Sequence, residues 1–587
     1  MTTSGRLKPR RGIALITVLL IALVVSVLMV TAALLGSNAS LVSRYHQRAS
    51  QLAWAADAGL EEARASVNAN KALYPDTGFA TLELDAPVRD ASGAVVPNVT
   101  RSLYVGPSGV TSGQYGVFGS VVAVVKDAFG DTIVRRQDMA QESFAKYAYF
   151  TDVEPSNISF GGGDQLFGPV FSNDYIKIYN TGATFFGTVT TAKTVQGRQY
   201  GTFKQGYTER AAPIAFPQTA DLEKLHTQAT AGGTAITGTL GGGDGQATTR
   251  IEFVALDLNG DGDSTDADEG FIRVYQSNDP AWVVGDVPGD YGSKGLRNSE
   301  NCGHYHPDGT FVPASGHPTT GSESWVASVS SSTRRCYLGG ADSLWGAFQA
   351  TDAHGQWLPW AGAVSPLLAA AGRTDAQYLW PINRALNPSF KGVIYVQGKV
   401  AISGVLRGRV TLAATGNIII ADDIVYATNP GAGTCADLLG LFSGNDVIVA
   451  DNTLNSPIKP SSGSNRFTYD DTKDEFIDGV VLALDVFTVE NYDGGSTKDE
   501  KCENKLWGRG CLYLTGGIIQ RTRGAVGTIG SPGGTGYLKR YSYDVCAYTN
   551  PPPYFPTTGH FASGRYFEVN PAGFDIATYF ASLKPKS

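Results

Sequence analysis

The sharpest chemical constellation in this chain is the run Asp257-Leu258-Asn259-Gly260-Asp261-Gly262-Asp263-Ser264-Thr265-Asp266-Ala267-Asp268, which places side-chain oxygens at loop positions 1, 3 and 5 and a glycine at position 6. Calcium is a hard cation that gathers several oxygen ligands, and this spacing wraps one loop around such an ion. Asp257, Asn259, Asp261 and Asp263 are the candidate ligands, Asp268 stands where a bidentate carboxylate would close the shell, and Glu269 is a neighbouring substitute. The flanks Ile251 to Leu256 and Gly270 to Tyr275 read as strands, so the expectation is a structural calcium clamp rather than a helix-loop-helix sensor. An acidic surface turn is the alternative.

Six cysteines, at 302, 336, 435, 502, 511 and 546, form an even set. In an oxidising compartment such a set reads as disulfides, and the sequence does not choose among the pairings. Cys302 with Cys336 and Cys502 with Cys511 are the local candidates, which leaves Cys435 with Cys546. Cys302-Gly303-His304-Tyr305-His306 has transition-metal ligand types but no second close Cys/His pair, so a disulfide loop is the simpler reading. Asp422-Asp423, Asp470-Asp471 and Asp437 are the candidates for paired carboxylates of the kind that cleave glycosidic bonds. Adjacent carboxylates on a strand point to opposite faces and cannot serve one bond, so the expectation is that the chain is not an enzyme. Arg334-Arg335, Arg407 with Arg409, Arg521 with Arg523, and Lys539-Arg540 are candidate contacts to a DNA backbone, with Tyr537 and Tyr541 available for stacking. A solvated face with dispersed counter-charges is the more common explanation for such pairs.

These groups must be positioned by a chain of 587 residues and 62.0 kDa, more than one hydrophobic core usually holds. Charged residues are 17% and glycine fills 71 positions, a balance favouring short strands and tight turns. A net charge of -8 excludes a wholly basic nucleic-acid binder while leaving room for local patches. Short apolar pieces follow glycine repeatedly: Gly392-Val393-Ile394-Tyr395-Val396, Gly398-Lys399-Val400-Ala401-Ile402, Gly408-Arg409-Val410-Thr411-Leu412 and Gly416-Asn417-Ile418-Ile419-Ile420. No such piece can bury a face alone, so stacking them as coils of a parallel β-solenoid is the economical solution. An antiparallel sandwich is the competing architecture.

The N-terminus is different in kind. Arg6, Lys8, Arg10 and Arg11 precede an uncharged, aliphatic run from Ile13 to Leu35 that is long enough to span a bilayer, and no acidic residue occurs before Asp57. Positive charge on that side predicts a single pass with the N-terminus in the cytoplasm and the rest exported. Leu41, Tyr45, Ala49, Leu52, Ala56, Leu60, Ala63 and Val67 continue the helix as one apolar stripe, which Asn70 and Pro75 end. An ordinary signal anchor with a juxtamembrane helix has the same pattern.

Arg10-Arg11-Gly12-Ile13-Ala14-Leu15-Ile16, the apolar run and Ala55-Ala56-Asp57-Ala58-Gly59-Leu60-Glu61-Glu62-Ala63 together resemble the N-terminal region of PilX-type minor type IV pilins. The resemblance implies that prepilin peptidase cuts after Gly12, that Ile13 becomes the new amino terminus, and that the helix leaves the inner membrane to pack among other pilins. A glutamate is usual at the fifth mature position of that family, where Thr17 stands here. That glutamate is thought to neutralise the terminal ammonium of a neighbouring subunit, so its absence implies placement at or near the filament tip. Gly168-Pro169-Val170-Phe171-Ser172-Asn173 and Tyr513-Leu514-Thr515-Gly516-Gly517-Ile518-Ile519-Gln520 resemble segments of large β-solenoid minor pilins linked to competence, the ComZ-like pilins.

The expected organisation is a leader at 1–12, a transmembrane and assembly helix at 13–73, a pilin-like β region at 74–150, and a β-solenoid at 151–200 and 386–540. It is interrupted by an inserted β-rich domain at 201–385 and followed by a C-terminal segment at 541–587. The fold is therefore expected to be mainly β with a long N-terminal α-helix. The expected function is a tip-located minor pilin whose head binds a ligand, extracellular DNA in natural transformation, and which also primes pilus assembly. A surface adhesin or envelope structural protein, and a membrane-anchored carbohydrate-active solenoid enzyme, are the alternatives.

Overall fold

The computed structural model describes residues 11–583 apart from 76, 111–113, 115, most of 283–354, 451–473, 491, 494–500 and 531–532. The aliphatic run, free of proline, carries one α-helix, α1, over Arg11–Ala69. Its mean hydropathy reaches 3.0, and among the described residues it is the one helix long and apolar enough to cross a membrane. Leu15 through Tyr45 are exposed along it. From Leu52 onward the stripe turns inward, and Leu52, Ala55, Ala56, Leu60, Ala63 and Val67 are buried at spacings of three and four. The helix gives way at Asn70, whose extended backbone leaves the helical path and whose side chain caps the next short turn by accepting from Ala72 N at 3.2 Å.

The buried half of α1 packs on an antiparallel sheet of β1 (Ala80–Arg89), β2 (Val95–Pro107), β3 (Phe118–Asp127) and β4 (Thr132–Ser143), completed by the strand Thr557–Val569. Leu103, Val105, Val121, Ala123, Val125 and Phe561 meet the helix stripe, each large aliphatic being worth about 1.5–3 kcal/mol of burial. Arg101 of β2 is buried among them, and its guanidinium bonds Glu62 of α1 at 2.6 Å and Glu83 of β1 at 2.9 Å. The β3–β4 turn is closed by Asp127, whose Oδ1 accepts from Phe129 N and Asp131 N. The expected C-terminal segment is thus not an appendage: its strand is part of this sheet, a pairing between chain ends that no local pattern announces.

The second unit, Gln141–His560 with Ser112–Val117, is built from parallel strands. A first ladder runs in the order Ala235–Thr237, Val393–Gln397, Arg409–Ala414, Leu438–Ser443, Glu475–Val489, Cys511–Arg523, Tyr149–Val153, Val170–Ser172, Val189–Thr191 and Tyr207–Thr208. A second joins Gln246–Ala255, Val400–Leu406, Ile418–Tyr426, Val447–Val449 and the end of Glu475–Val489. A third joins the beginnings of Glu475–Val489 and Cys511–Arg523 to Leu538–Tyr543, Asp164–Phe167, Ala183–Phe185 and Gly201–Phe203. Ile394, Leu412, Leu441 and Ile518 of the first ladder share one core with Ile402, Ile420 and Val447 of the second and Leu514, Tyr541 and Leu166 of the third.

The opposite face of the first ladder is also buried. Val393, Tyr395, Ala413, Phe442, Leu482 and Ile519 are covered by Phe216 and by Leu222, Leu225 and Ala229 of α2 (Ala220–Gly232). Burial on both faces is why these strands are continuous apolar runs instead of alternating ones. The chain enters the stack in its middle, at 149–153, and winds to one end, at 207–208. It then passes along the outside through 211–232, restarts at 235–237, and winds back until Cys511–Arg523 meets Tyr149–Val153. That meeting is a seam between the first rung and the last.

The expected insert at 201–385 is therefore corrected at its start, because Gly201–Phe203, Tyr207–Thr208, Ala235–Thr237 and Gln246–Ala255 all pair within the ladders. The first three of these rungs are only two or three residues long, and none carries the glycine-apolar rhythm. What departs from the ladders is Gly270–Trp282, which pairs antiparallel with Gln246–Ala255 and to which Gly355–Trp357 and Trp380–Pro381 add.

Candidate functional site

Gly12, Ile13 and Thr17 all lie in the first turns of α1, and residues 1–10 are outside the described residues. Thr17 is on the exposed, apolar part of the helix.

The acidic loop sits at the tip of the Gln246–Ala255 and Gly270–Trp282 hairpin. Its oxygens are turned onto its own backbone: Asp257 accepts from Gly260 N at 2.6 Å and Gly262 N at 2.9 Å, Asn259 from Asp261 N, and Asp263 from Thr265 N. Glu269, not Asp268, closes the loop, accepting from Leu258 N and Asp266 N at 2.8 Å each while itself buried. Among the described residues no group of three or more His, Cys, Asp or Glu converges into a metal site. No role is derived from calcium at Asp257, Asn259, Asp261, Asp263 and Asp268.

Disulfides join Cys435 to Cys546 and Cys502 to Cys511. The first ties the loop before Leu438–Ser443 to the short helix Val545–Thr549. Cys302, Cys336 and His306 lie outside the described residues, as do Asp470 and Asp471. Asp437 accepts from Arg407 at 2.8 Å, Gly408 N and Thr428 N, and Asp423 accepts from Phe476 N. Asp437 thus fastens loops, and Asp423 ties the strand Ile418–Tyr426 to Glu475–Val489.

The proposed DNA contacts are mostly inward. Arg523 is buried and bonds the buried Glu154 at 3.1 Å, its guanidinium carbon 3.7 Å from the Phe160 ring centroid. Arg540 forks onto Glu503 at 2.9 and 3.0 Å. Lys539 holds the buried Asp164 at 3.0 Å, and burial pulls the Lys539 ammonium below its ordinary pKa. Arg521 donates to Leu484 O and lies over Phe216, and Arg409 donates to Cys435 O, Asn550 O and Pro551 O. Tyr537 and Tyr541 are core residues, 1% exposed each. Arg334 and Arg335 form a short strand with Ser328–Val329, their side chains outside what the structure describes. Charge pairing, invisible in a local window, engages Arg407, Arg523, Lys539 and Arg540, while Arg409 and Arg521 donate to backbone carbonyls.

Two features were missed in the sequence. One is an exposed cationic strip at the end of the stack: Lys193, Arg198, Lys204 and Arg210 with the half-exposed rings of Tyr200 and Tyr207, beside two acids, Asp174 and Glu209, the latter accepting from Val195 N. Lys193 also bonds Asp174 at 2.6 Å.

The other is a cavity of about 310 Å³ beside the seam, walled by Trp507, Tyr537, Val526 and Tyr179 and reaching Asp164 and Lys539. Gly162, at φ +67°, allows the wall to form, since a Cβ there would lie 2.4 Å from the Trp507 ring. Asp164 accepts from Gly161 N and Lys539 Nζ at 3.0 Å each, so the cavity's charged pair is neutral as a unit. The scattered origins of these residues, near 160, 179, 507 and 537, hide the cavity from any motif search.

A wider hollow of about 830 Å³ is lined by Tyr426, Asp478, Thr515 and Asp544. Burial pushes the Asp478 carboxyl from 3.8 up to about 6, opposed by hydrogen bonds from Tyr426 N and Thr515 and reinforced by Asp544. A raised carboxyl binds its proton more tightly in the folded state, so this stabilisation is complete below pH 4 and lost as pH rises through about 6. Asp478→Asn is expected to melt above the wild type at pH 7.5 and to lose that advantage at pH 4. Equal melting shifts at both pH values would refute it.

No family model and no curated protein matches this chain. Among solved structures it is similar to the crystal structure of competence-associated pilin ComZ from Thermus thermophilus, at 12% sequence identity and a TM-score of 0.25, with 88% of this chain and 97% of that chain covered.

Proposed function

We propose that this chain is a minor type IV pilin whose large β-solenoid head presents a ligand-binding surface outside the cell. The observation that carries the reading is α1, exposed and aliphatic through its first half and seated on an antiparallel sheet through its second. An apolar rod of this kind needs a bilayer or other rods around it. Prepilin peptidase cuts after Gly12, the helix resides in the inner membrane with its N-terminus in the cytoplasm, and it then packs among other pilins. Thr17 in place of a carboxylate sets the subunit at or near the tip, where it also primes assembly.

For the head, DNA capture in natural transformation is the preferred role. It is supported by the strip of Lys193, Arg198, Lys204 and Arg210 with Tyr200 and Tyr207, a pairing of cations and stacking surfaces suited to a phosphate backbone with unpaired bases. The second reading, a surface adhesin, is favoured by the aromatic cavity beside the seam.

One preparation tests both levels. Filaments sheared from the cell surface are expected to yield a peptide beginning at Ile13, with the protein confined to filament ends, and to bind DNA with an affinity that falls steeply as salt rises. A chain retaining its first residues and absent from filaments, or evenly spread along them, overturns the pilin or the tip assignment. Salt-independent DNA binding overturns the DNA role.

A further inference from the structure

The cavity beside the seam combines two kinds of surface that rarely meet without a ligand to join them. Tyr179 is 49% exposed and flanks the opening, while Trp507 and Tyr537 are buried behind it, so aromatic faces line one side. On the other side are hydrogen-bonding groups with unused capacity. Lys539 Nζ spends one of its N–H groups on Asp164, and no second acceptor meets it among the described residues. Asn157 and Ser159 line the same space and make no side-chain hydrogen bond among the described residues. Together they offer donors and acceptors to a ligand.

The charge of the site selects among ligands. Asp164 and Lys539 neutralise one another at 3.0 Å, so a bound phosphate or carboxylate would gain no net attraction, and its charge would need desolvating in a half-enclosed pocket. A purely apolar ligand would leave Asn157, Ser159 and the ammonium unserved. The matching chemistry is an uncharged ring with one apolar face and a rim of hydroxyls. At about 310 Å³ the space suits one or two such rings.

We propose that this cavity binds a neutral saccharide, a sugar ring stacked on Tyr179 with its hydroxyls bonded to Asn157, Ser159 and Lys539. The proposal deepens the reading of the head as a ligand-presenting module, and it is independent of how the stem assembles. The Cys502–Cys511 disulfide, packed with Trp507 and Leu538, fixes the wall in advance of binding.

The test uses the full-length chain in a zwitterionic detergent carrying no sugar. Saturation-transfer NMR is run with glucose, galactose, mannose, N-acetylglucosamine and their disaccharides, with a sialylated trisaccharide and a short single-stranded oligonucleotide as charged probes. At least one neutral saccharide is expected to bind at millimolar concentration, unaffected by added salt, and Tyr179→Ala is expected to weaken it by about tenfold or more with an unchanged melting temperature. Asn157→Ala, at an exposed position, supplies a second reading of the same site. Binding of no neutral saccharide, binding indifferent to both substitutions, or a charged probe displaced by Tyr179→Ala in place of a sugar would each overturn the proposal. None of these would alter whether filaments carry a peptide starting at Ile13, so failure here is separable from failure of the pilin assignment.

Discussion

Arg523→Ala is expected to destabilise the second unit by about 3–5 kcal/mol, the cost of leaving one half of a buried ion pair behind. Arg523 and Glu154 are 2% and 4% exposed, and they bond at 3.1 Å across 369 residues of chain. Glu154 already takes hydrogen bonds from Tyr149 OH at 3.1 Å and Thr151 Oγ1 at 2.7 Å, so its carboxylate is held in place and cannot swing to water once the arginine is gone. The truncation also removes the cation from the Phe160 ring and leaves a void in a packed interior.

Because the pair joins the first rung to the last, the loss should act on closure of the seam. Denaturant unfolding of the full chain, followed by near-ultraviolet circular dichroism, is expected to show an earlier transition for the second unit. The companion variant Arg523→Met with Glu154→Gln replaces charge by neutral bulk and should recover most of the loss, because a buried pair contributes less than either orphaned charge costs. If Arg523→Ala unfolds within about 1 kcal/mol of the wild type, the ion pair is not what secures the seam.

What could be read from the sequence followed the range of the interaction. Local period sufficed for α1: its aliphatic run and the stripe from Leu52 to Val67 are helical spacing written in residue types, and the stripe is buried where it meets the sheet. The Gly392 to Ile420 pieces announced short strands, since burial on both faces demands unbroken apolar residues. The start of the expected insert falls inside the ladders, because rungs such as Ala235–Thr237 are too short to carry a period and gain their strand character from Tyr395 and Val396 beside them. The site failed for the same reason in reverse. Arg523, Lys539 and Arg540 looked basic in their own windows, yet Glu154, Asp164 and Glu503, distant in sequence, neutralise them. The acidic loop's cation spacing is written in the sequence, whereas the hydrogen bonds that Asp257 accepts from Gly260 N and Gly262 N are visible only in the fold.

Gly517→Ala is expected to be the most disruptive single methyl in the head, costing about 3 kcal/mol or more. The strand Cys511–Arg523 changes ladder at Gly516 and Gly517: residues before them pair with Leu538–Tyr543, residues after them with Tyr149–Val153. Gly517 turns this corner at φ +138°, and a Cβ there would sit 2.0 Å from the carbonyl oxygen of Tyr147. Backbone cannot rotate aside as a side chain can, so either the corner opens or the first rung is pushed off the last, taking the Glu154–Arg523 contact with it. Gly479→Ala is the matched control. It lies in the adjacent strand with an ordinary φ, and its nearest neighbour is the Leu439 side chain at 3.5 Å, so a methyl there should cost less than about 1 kcal/mol. Thermal unfolding of the two variants side by side decides the matter: equal midpoints would mean that the corner tolerates a side chain and that the seam is held elsewhere.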